Sequence, residues 1–208
     1  MLGKPRRIVL KATVSKSRDR AIPEGTAARP ADAAGGVVAK AVLSLEKHIK
    51  DPTQGLPESV FRLVSSLVPM VNVDLLIRNE KGETLLTWRD DDFYPRGWHI
   101  PGGIIRFKES LTTRIRKVAM NELGVRVRFD PLPLAVSEVV TTRQRIRGHF
   151  ISFLYRCSLL SALPARLRFT NGVPKAGAWA WFPGCPKNIL DCQRRIYGDF
   201  LKGAGGRA

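Results

Sequence analysis

Two periodicities of apolar residues organise the chain, and both become clear only after about Gly55. The segment PESVFRLVSSLV, residues 57–68, has apolar residues at helical spacing and predicts a helix. Two apolar runs follow, VNVDLLIRN at 71–79 and TLLTWR at 84–89, and the intervening NEKGE is typical of a turn. The pattern therefore predicts a helix that leads into a β-hairpin.

The segment from Ser110 to Glu122 predicts an amphipathic helix. Its apolar residues recur at i, i+4, i+7 and i+8, which places them on one helical stripe: Leu111, Ile115, Val118 and Ala119. Gly124 is placed to end the helix, because glycine adopts the left-handed conformation common after a last helical turn.

WHIPGG, residues 98–103, closes a short strand, and further apolar runs predict four more strands and one more helix. The strands are VRVRF, LAVSEVV, HFISFLYRCSL and WAWF, and the helix is LDCQRRIYGDFLK near the C terminus. Strands of mixed connection with two or three helices imply a sheet covered on both sides. The predicted fold class is α/β, a mixed sheet in an α/β/α sandwich.

The first part of the chain differs in composition from this domain. Up to Gly36 it has no aromatic residue and is rich in Arg, Lys, Ala, Pro and Gly, so residues 1–52 are interpreted as a basic flexible extension. VVAKAVLSLEKHIKD adds a short helix at its end. No apolar core of a secretory signal follows the basic start, and the match to a transit peptide is weak. The folded domain is assigned to residues 53–203 and a flexible tail to 204–208.

The charge balance favours anionic ligands. Thirty-five Lys and Arg residues against 18 Asp and Glu residues give a net charge of +17, which attracts polyanions or small anions unless it only solvates surfaces. No run approaches the roughly 18 apolar residues that a membrane span needs. The three cysteines form no C-x-x-C pair, and the simplest interpretation is that their thiols are reduced. The expected location is therefore cytoplasmic.

The stretch PGGIIRFKESLTTRIRKVAMNELGV, residues 101–125, resembles the box of the Nudix hydrolases, G-x5-E-x7-R-E-U-x-E-E-x-G-U, where U is bulky and apolar. Seven residues fall on box positions: Gly103, Glu109, Lys117, Ala119, Glu122, Gly124 and Val125. Lys117 replaces the box arginine, and Val118 and Asn121 replace two of its acids. Glu109 is interpreted as an ion-pairing or helix-start residue rather than a metal ligand.

The sequence resembles one group of that family, the GDP-mannose mannosyl hydrolases, which lack the same acids. The resemblance extends to two further stretches, LPESVFRLVSSLVPMVNVDLLI and LLTWRDDDFYPRGWHIPGG. The resemblance covers roughly residues 55–200. It implies the Nudix-type sandwich, a Mg²⁺ cofactor, a nucleotide-sugar substrate and a homodimer. It also implies hydrolysis of the glycosyl C–O bond, which releases a nucleoside diphosphate and a free sugar.

Fewer carboxylates suit attack at carbon better than attack at phosphorus. Attack at phosphorus commonly uses an acid cluster that holds several divalent ions. When a nucleoside diphosphate is the leaving group, one Mg²⁺ across its phosphates is enough, and Mg²⁺ needs only one or two protein ligands. Glu122 and the carbonyl of Gly102 are the predicted metal ligands.

The resemblance assigns roles to five other residues. Arg89 matches an arginine that contacts the diphosphate, a contact that suits a guanidinium fork. Asp74 matches an aspartate implied at the active site, although a structural role is an equal alternative. Leu56 and Phe61 match positions that touch the nucleotide, and Lys117 keeps the charge of the box arginine.

The chain also departs from that subfamily. The family places a Gln-His pair, a metal ligand and a general base, where this chain has Lys175 and Ala176. An arginine that follows the double glycine is replaced by Ile104, and Arg106 lies two residues further on. The candidates for a replacement base are Glu138, His99 and His149.

Two alternatives stay open. The first is a Nudix-fold binding module without hydrolysis, whose ligand is a nucleotide sugar or a nucleic acid. Nucleic acid would bind the basic extension and a strand carrying Arg143, Arg145 and Arg147 on one face if TTRQRIRG is extended; a solvated hairpin is the competing interpretation. The second alternative, an ordinary nucleoside-diphosphate pyrophosphatase, ranks lowest because Val118 and Asn121 remove negative charge from the metal site.

Overall fold

The computed structural model describes residues 36–91, 95–142 and 144–202. Within these ranges the helices are α1 Val37–His48, α2 Glu58–Ser65, α3 Leu111–Leu123 and α4 Asp191–Leu201. The strands are β1 Met70–Ile77, β2 Thr84–Arg89, β3 Gly97–His99, β4 Gly102–Ile104, β5 Val127–Phe129, β6 Ala135–Val140, β7 His149–Leu159 and β8 Trp179–Phe182. Short 3₁₀ turns occupy Pro52–Gln54 and Ala165–Leu167.

The larger sheet is mixed and is built around β7. β1 pairs with β7 in parallel, from Met70 opposite Phe150 to Ile77 opposite Cys157. β6 and β5 pair antiparallel with the other edge of β7, and β4 pairs antiparallel with β1. Parallel strands need a long crossover connection, and here that connection contains β2, β3 and α3. The smaller sheet is antiparallel, in the order β3, β2, β8.

Helix α3 covers one face of the mixed sheet. Its first turn is capped by the Ser110 hydroxyl oxygen, which accepts from the backbone N–H of Thr113. Gly124 ends the helix in the left-handed conformation with φ +67°. The buried stripe of the helix contains Ile115, Val118 and Ala119, and it packs against the odd-numbered residues of β1.

A second core lies on the opposite face of the mixed sheet. It joins Leu76 and Leu154 of that sheet to the smaller sheet and to Tyr197 and Leu201 of α4. Trp98 makes edge-on contacts with Trp88, Phe169 and Phe182, at centroid distances of 5.3, 5.5 and 4.9 Å. Such contacts bury large ring surfaces with a preferred geometry. The predicted α/β sandwich with a mixed sheet is therefore confirmed.

Every helix and strand that the sequence pattern predicts within the described residues is present, with shifts of a few residues at some ends. Strand β4 was not predicted, because three residues with two glycines show no alternation. Its cause is a close approach of two strands: a Cβ on Gly102 would lie 2.0 Å from Oδ1 of Asp74. Only glycine fits at this position, so the residue type is set by the contact with β1 and not by the tendency of the residue to form a strand.

The connection between β6 and β7 is a tight hairpin loop and not an extended strand. The backbone N–H of Thr141 donates to the carbonyl of Gly148, and that of Gln144 donates to Thr141. The extended alternative, with arginines on one face, is therefore excluded for Gln144–Arg147, and the competing interpretation of a hairpin is confirmed. Arg143 lies outside the described residues, as do residues 1–35 of the predicted extension and the predicted tail at 204–208.

Gly124 and Gly198 provide a matched test of the helix ends. Gly124→Ala should lower the free energy of unfolding by about 1 kcal/mol, since alanine is strained at φ +67°. Gly198→Ala, inside α4 with open space around its Cβ position, should raise it by roughly 0.5–1 kcal/mol. Urea unfolding measures both, and a loss at Gly198 equal to that at Gly124 would contradict this account.

Candidate active site

A cavity of about 1130 Å³ opens over the even-numbered face of the mixed sheet. Its floor includes Met70, Asn72 and Asp74 of β1, and Phe150 and Ser152 of β7. The walls come from α2, the β4 segment, the last turn of α3 and the start of α4. The strand alternation explains this arrangement, because residues i, i+2 and i+4 share one face while the odd residues enter the core.

Glu122 reaches this cavity from the last turn of α3. Its Oε1 accepts from the backbone N–H of Gly102 at 3.3 Å, and its Oε2 lies 3.3 Å from the Thr87 hydroxyl oxygen. Both contacts are long for hydrogen bonds to a charged group. Desolvation raises the pKa of Glu122 to about 8, against the opposing effects of these contacts and of the Arg89 charge. Glu122 is therefore an acid whose charge the protein compensates poorly.

Asp74 is buried in the floor and is compensated much better. Its oxygens accept from the Tyr197 hydroxyl at 2.5 Å, from Ser152 at 2.9 Å and from the Asn72 amide at 2.8 Å. Burial raises the pKa of Asp74 to about 6, and the three hydrogen bonds limit the rise. Asp74 therefore lies in the cavity, as predicted, and also has a structural role through its three hydrogen bonds. Its catalytic role stays a prediction.

His99 faces the same cavity in the neutral form, because burial and the nearby Arg89 charge lower its pKa to about 4. Its Nδ1 lies 2.9 Å from the carbonyl of Ile100, which fixes the proton on that nitrogen. Its Nε2 then accepts from the Thr87 hydroxyl at 3.1 Å. The single Thr87 hydrogen is thus shared between His99 and Glu122, which leaves the Glu122 carboxylate with only weak donation from Thr87.

Arg89 ends β2 at the edge of the cavity, where the sequence predicted a phosphate contact. Its Nε donates to Asp91 at 2.5 Å, and its side chain is half-buried. The positive charge of Arg89 lowers the pKa of both Glu122 and His99. Arg89 is thus a cation whose charge acts on both the Glu122 carboxyl and the His99 imidazole.

Glu109 is an ion-pairing residue, as predicted. Its buried carboxylate lies 2.6 Å from Arg114 and 3.1 Å from Lys117. Burial alone would raise the pKa of Glu109, but hydrogen bonds from the Arg106 backbone, Lys117 and Arg114 hold it below its usual value. Arg114 lines the cavity, whereas Lys117 is not among the lining residues. Substrate binding by Lys117 therefore stays a prediction.

The entry segment contributes more of the cavity than expected. Leu56 and Phe61, the predicted nucleotide contacts, both line it. Ile49 and Pro52 also line it, although the sequence assigned them to the extension. The boundary proposed at residue 53 therefore does not coincide with the edge of the cavity wall.

The departures from the family pattern have clear structural positions. Val118, at an acidic box position, is buried in the core, and its Cγ2 would lie 2.9 Å from a Cβ on Gly103. Ala176 lines the cavity and Lys175 does not. Of the candidate bases, Glu138 and His149 pair with each other at 3.2 Å outside the cavity lining.

Four residues that hold the two acids were not identified from the sequence: Asn72, Thr87, Ser152 and Tyr197. Ser152, Tyr197 and Thr87 lie 78, 123 and 35 residues from the acids that they contact, so spacing carries no signal for them. Asn72 is only two residues from Asp74, on the same face of β1, but an asparagine there is not by itself a sign of a donor. The one usable signal was Asp74 itself, since a charged residue inside an apolar strand requires donors from neighbouring elements.

The donor set fits one hard divalent cation. Within residues 36–91, 95–142 and 144–202, no group of three His, Cys, Asp or Glu side chains is arranged to hold a metal. Glu122 is nevertheless a carboxylate with long hydrogen bonds and a pKa raised to about 8, beside the Gly102 backbone. A cation would supply the compensation that Glu122 lacks, and Mg²⁺ accepts a site with one or two protein ligands.

The site thus combines a glutamate at the end of α3 with a Gly-Gly strand beside a cavity of about 1130 Å³. A model of the NUDIX domain matches residues 68–183, more than half of the 208 residues, and the chain belongs to the Nudix family. Nudix hydrolases are generally dependent on divalent metals. None of the helices in the described ranges is long and apolar enough to cross a membrane.

Similar proteins include the low-salt glycan biosynthesis protein Agl8 of Haloferax volcanii, 38% identical over 79 residues. The match covers 38% of this chain and 50% of that protein, so this chain spans about half the length of that relative. The MutT protein from Methanosarcina mazei Go1 is 19% identical, with TM-score 0.49 over 65% of this chain and 94% of that chain. A NUDIX hydrolase from Nitrosomonas europaea is 22% identical, with TM-score 0.46 over 64% and 68%.

The pKa of Glu122 predicts a pH-dependent stability difference. Between about pH 4.5 and 8 the folded state binds more protons at Glu122 than the unfolded state, so stability falls as pH rises through this window. Glu122→Gln should therefore match the wild type below pH 4.5 and exceed it by roughly 2–4 kcal/mol above pH 8, without divalent metal.

Urea unfolding at pH 4 and pH 9 measures this difference. Glu138→Gln, which removes an exposed acid, is the control and should show little change at either pH. Added Mg²⁺ should raise the melting temperature of the wild type at pH 8 and not that of Glu122→Gln. A stability gain that is independent of pH would show that Glu122 is ionised normally in the folded protein.

Proposed function

We propose that this Nudix domain is a Mg²⁺-dependent hydrolase of a nucleoside-diphosphate sugar, with GDP-mannose as the leading candidate. The proposed reaction adds water to the anomeric carbon and breaks the glycosyl C–O bond. Its products are the nucleoside diphosphate, the free sugar and a proton. The relative from Haloferax volcanii is named for glycan biosynthesis, and a sugar-linked substrate agrees with that relationship.

The face that α3 turns to the cavity carries this proposal. Its lining residues are Arg114, Asn121 and Glu122, so the helix contributes one acid and one cation. The position of a further box acid is filled by Val118, which packs into the core. A single carboxylate does not assemble the multi-ion cluster used for attack at phosphorus, whereas it suffices to hold one ion on a departing diphosphate.

The residues around Glu122 have distinct proposed roles. Glu122 and the carbonyl of Gly102 would hold the Mg²⁺ ion, which supplies neutralisation of the diphosphate charge. Arg89 would bind the same diphosphate and stabilise the negative charge that grows as the bond breaks. Asp91, whose carboxylate lies 2.5 Å from Nε of Arg89, competes with the phosphate for this guanidinium.

Asp74 is the proposed acceptor of the proton from the attacking water. With a pKa of about 6 it is mostly ionised at neutral pH while remaining more basic than an ordinary aspartate. His99 is a poorer candidate, because its low pKa and its contacts with Ile100 and Thr87 hold it neutral and occupied.

A homodimer is part of this proposal. Helix α1 has no buried residue in the single chain, although Val42, Leu43 and Leu45 are apolar. An isolated helix of 12 residues is marginal in water, so a second copy that covers α1 and the adjoining entry segment would stabilise both.

Hydrolysis of GDP-mannose in ¹⁸O-water with Mg²⁺ tests the bond that is cleaved. We expect GDP and free mannose that carries the label, because water attacks carbon. Mass spectrometry of the products distinguishes this from the alternative. GMP and mannose 1-phosphate would show attack at phosphorus and would overturn the proposed reaction.

Two substitutions test the proposed roles with the same assay. Glu122→Gln should abolish Mg²⁺-dependent turnover, and Asp74→Asn should lower kcat by about 10²-fold or more. Glu138→Gln, on the exposed pair with His149, should retain wild-type turnover. Full activity in Glu122→Gln would remove it from the metal site, and full activity in Asp74→Asn would remove it from proton transfer.

A Nudix-fold binding module is the second candidate. The observation that favours it is Ala176, which lines the cavity where the family resemblance implies a general base. This candidate predicts that the protein binds GDP-mannose saturably and hydrolyses no nucleotide sugar. Its nucleic-acid version predicts polyanion binding that weakens steeply with salt. Loss of that affinity on deletion of residues 1–35 would support the nucleic-acid version, and unchanged affinity would contradict it.

A further inference from the structure

The loop between β6 and β7 holds Arg147 against the wall of the cavity. The guanidinium carbon of Arg147 lies 5.6 Å from the centroid of the Phe61 ring, within the range of a cation–π contact. Both side chains line the cavity. The backbone N–H of Arg147 donates to the carbonyl of Ser65, the last residue of α2. The loop is thus anchored to the helix that carries Phe61.

The backbone of this loop is shaped around Arg147. Arg147 has φ +56°, a left-handed conformation that is strained for a residue with a side chain. The next residue, Gly148, admits no side chain, because a Cβ would lie 2.1 Å from the carbonyl oxygen of Gln144. Strained backbone that persists at a cavity wall is typical of a side chain placed for binding.

The floor changes character along β1 and β7 between the acids and this loop. Near Glu122 it is polar, with Asp74, Asn72 and Ser152. Toward the loop it is apolar, with Met70 paired to Phe150 and Val139 paired to the other side of Phe150. Met70 lies four positions before Asp74 on β1, which is about 13 Å at roughly 3.3 Å per residue. This length is comparable with the reach of a nucleoside diphosphate from its terminal phosphate to its base.

We infer that Arg147 selects the nucleobase, by presenting its guanidinium fork to O6 and N7 of a guanine that lies on the apolar end of the floor. The inference rests on the proposed nucleoside-diphosphate-sugar substrate and assigns its base to the end of the cavity away from Glu122. A guanidinium fork matches the two acceptors of guanine, whereas adenine presents an amino group in place of one acceptor. The contact therefore favours guanine over adenine.

Calorimetric titration with GDP, 7-deaza-GDP, ADP and inorganic pyrophosphate tests this assignment without turnover. The wild type should bind GDP about tenfold more tightly than ADP or 7-deaza-GDP, which lacks N7. Arg147→Met should lose most of this preference and about tenfold in GDP affinity, while its pyrophosphate affinity stays within about twofold. Arg147→Lys keeps the charge without the fork and should also lose the preference for GDP over 7-deaza-GDP.

Arg145→Met is the matched control, because Arg145 is exposed on the same loop and does not line the cavity. It should bind all four ligands as the wild type does. Thermal unfolding checks that each variant is folded, and Arg147→Lys decides the question if Arg147→Met is not.

Three outcomes would overturn the inference. They are an equal loss of GDP and pyrophosphate affinity in Arg147→Met, a GDP preference that survives in both Arg147 variants, and a wild type that binds no nucleoside diphosphate. A wild type that selects GDP through Arg147 but does not hydrolyse GDP-mannose would support this inference and contradict the proposed reaction. Hydrolysis of GDP-mannose with the preference unchanged in both variants would do the reverse.

Discussion

The burial of Asp74 is the constraint on which most of the site depends. A carboxylate on an inner strand is tolerated only when neighbouring elements satisfy its oxygens. Here β1, β7 and α4 each supply one donor, through Asn72, Ser152 and Tyr197. The same carboxylate lies so close to β4 that only glycine fits at Gly102. One side chain therefore fixes where the C-terminal helix docks and why the predicted metal-binding strand begins with glycine.

Glu122 has the opposite electrostatic position. Its contacts with the Gly102 backbone and Thr87 are long, and Thr87 already serves His99. Burial therefore raises the pKa of Glu122 further above its usual value than that of Asp74. The short hydrogen bonds of the site go to Asp74. The charge of Glu122, at the end of α3, is left to be compensated by a cation or a proton in the cavity.

The sequence predicted the parts of this structure that local pattern encodes. Helix α3 and its end at Gly124 follow from periodicity, and the cavity positions of Arg89 and Glu122 follow from the family resemblance. The sequence did not predict the donors to Asp74, because Tyr197 is 123 residues away and no spacing rule links them. It left the β6–β7 connection open between an extended strand and a hairpin, and it did not predict that the turn closed at Gly148 directs Arg147 to Phe61.

The parallel register of β1 on β7 decides both which residues face the cavity and which residues enter the core. Even-numbered residues such as Asp74 face the cavity, and odd-numbered ones such as Val73 and Leu75 face the core. A slip by one residue would exchange the two sets, and it would bury the acid against α3 while it exposed valine and leucine. A misaligned chain is thus penalised on both faces at once. Selection for a well-formed binding floor is therefore also selection against misfolded sheet arrangements.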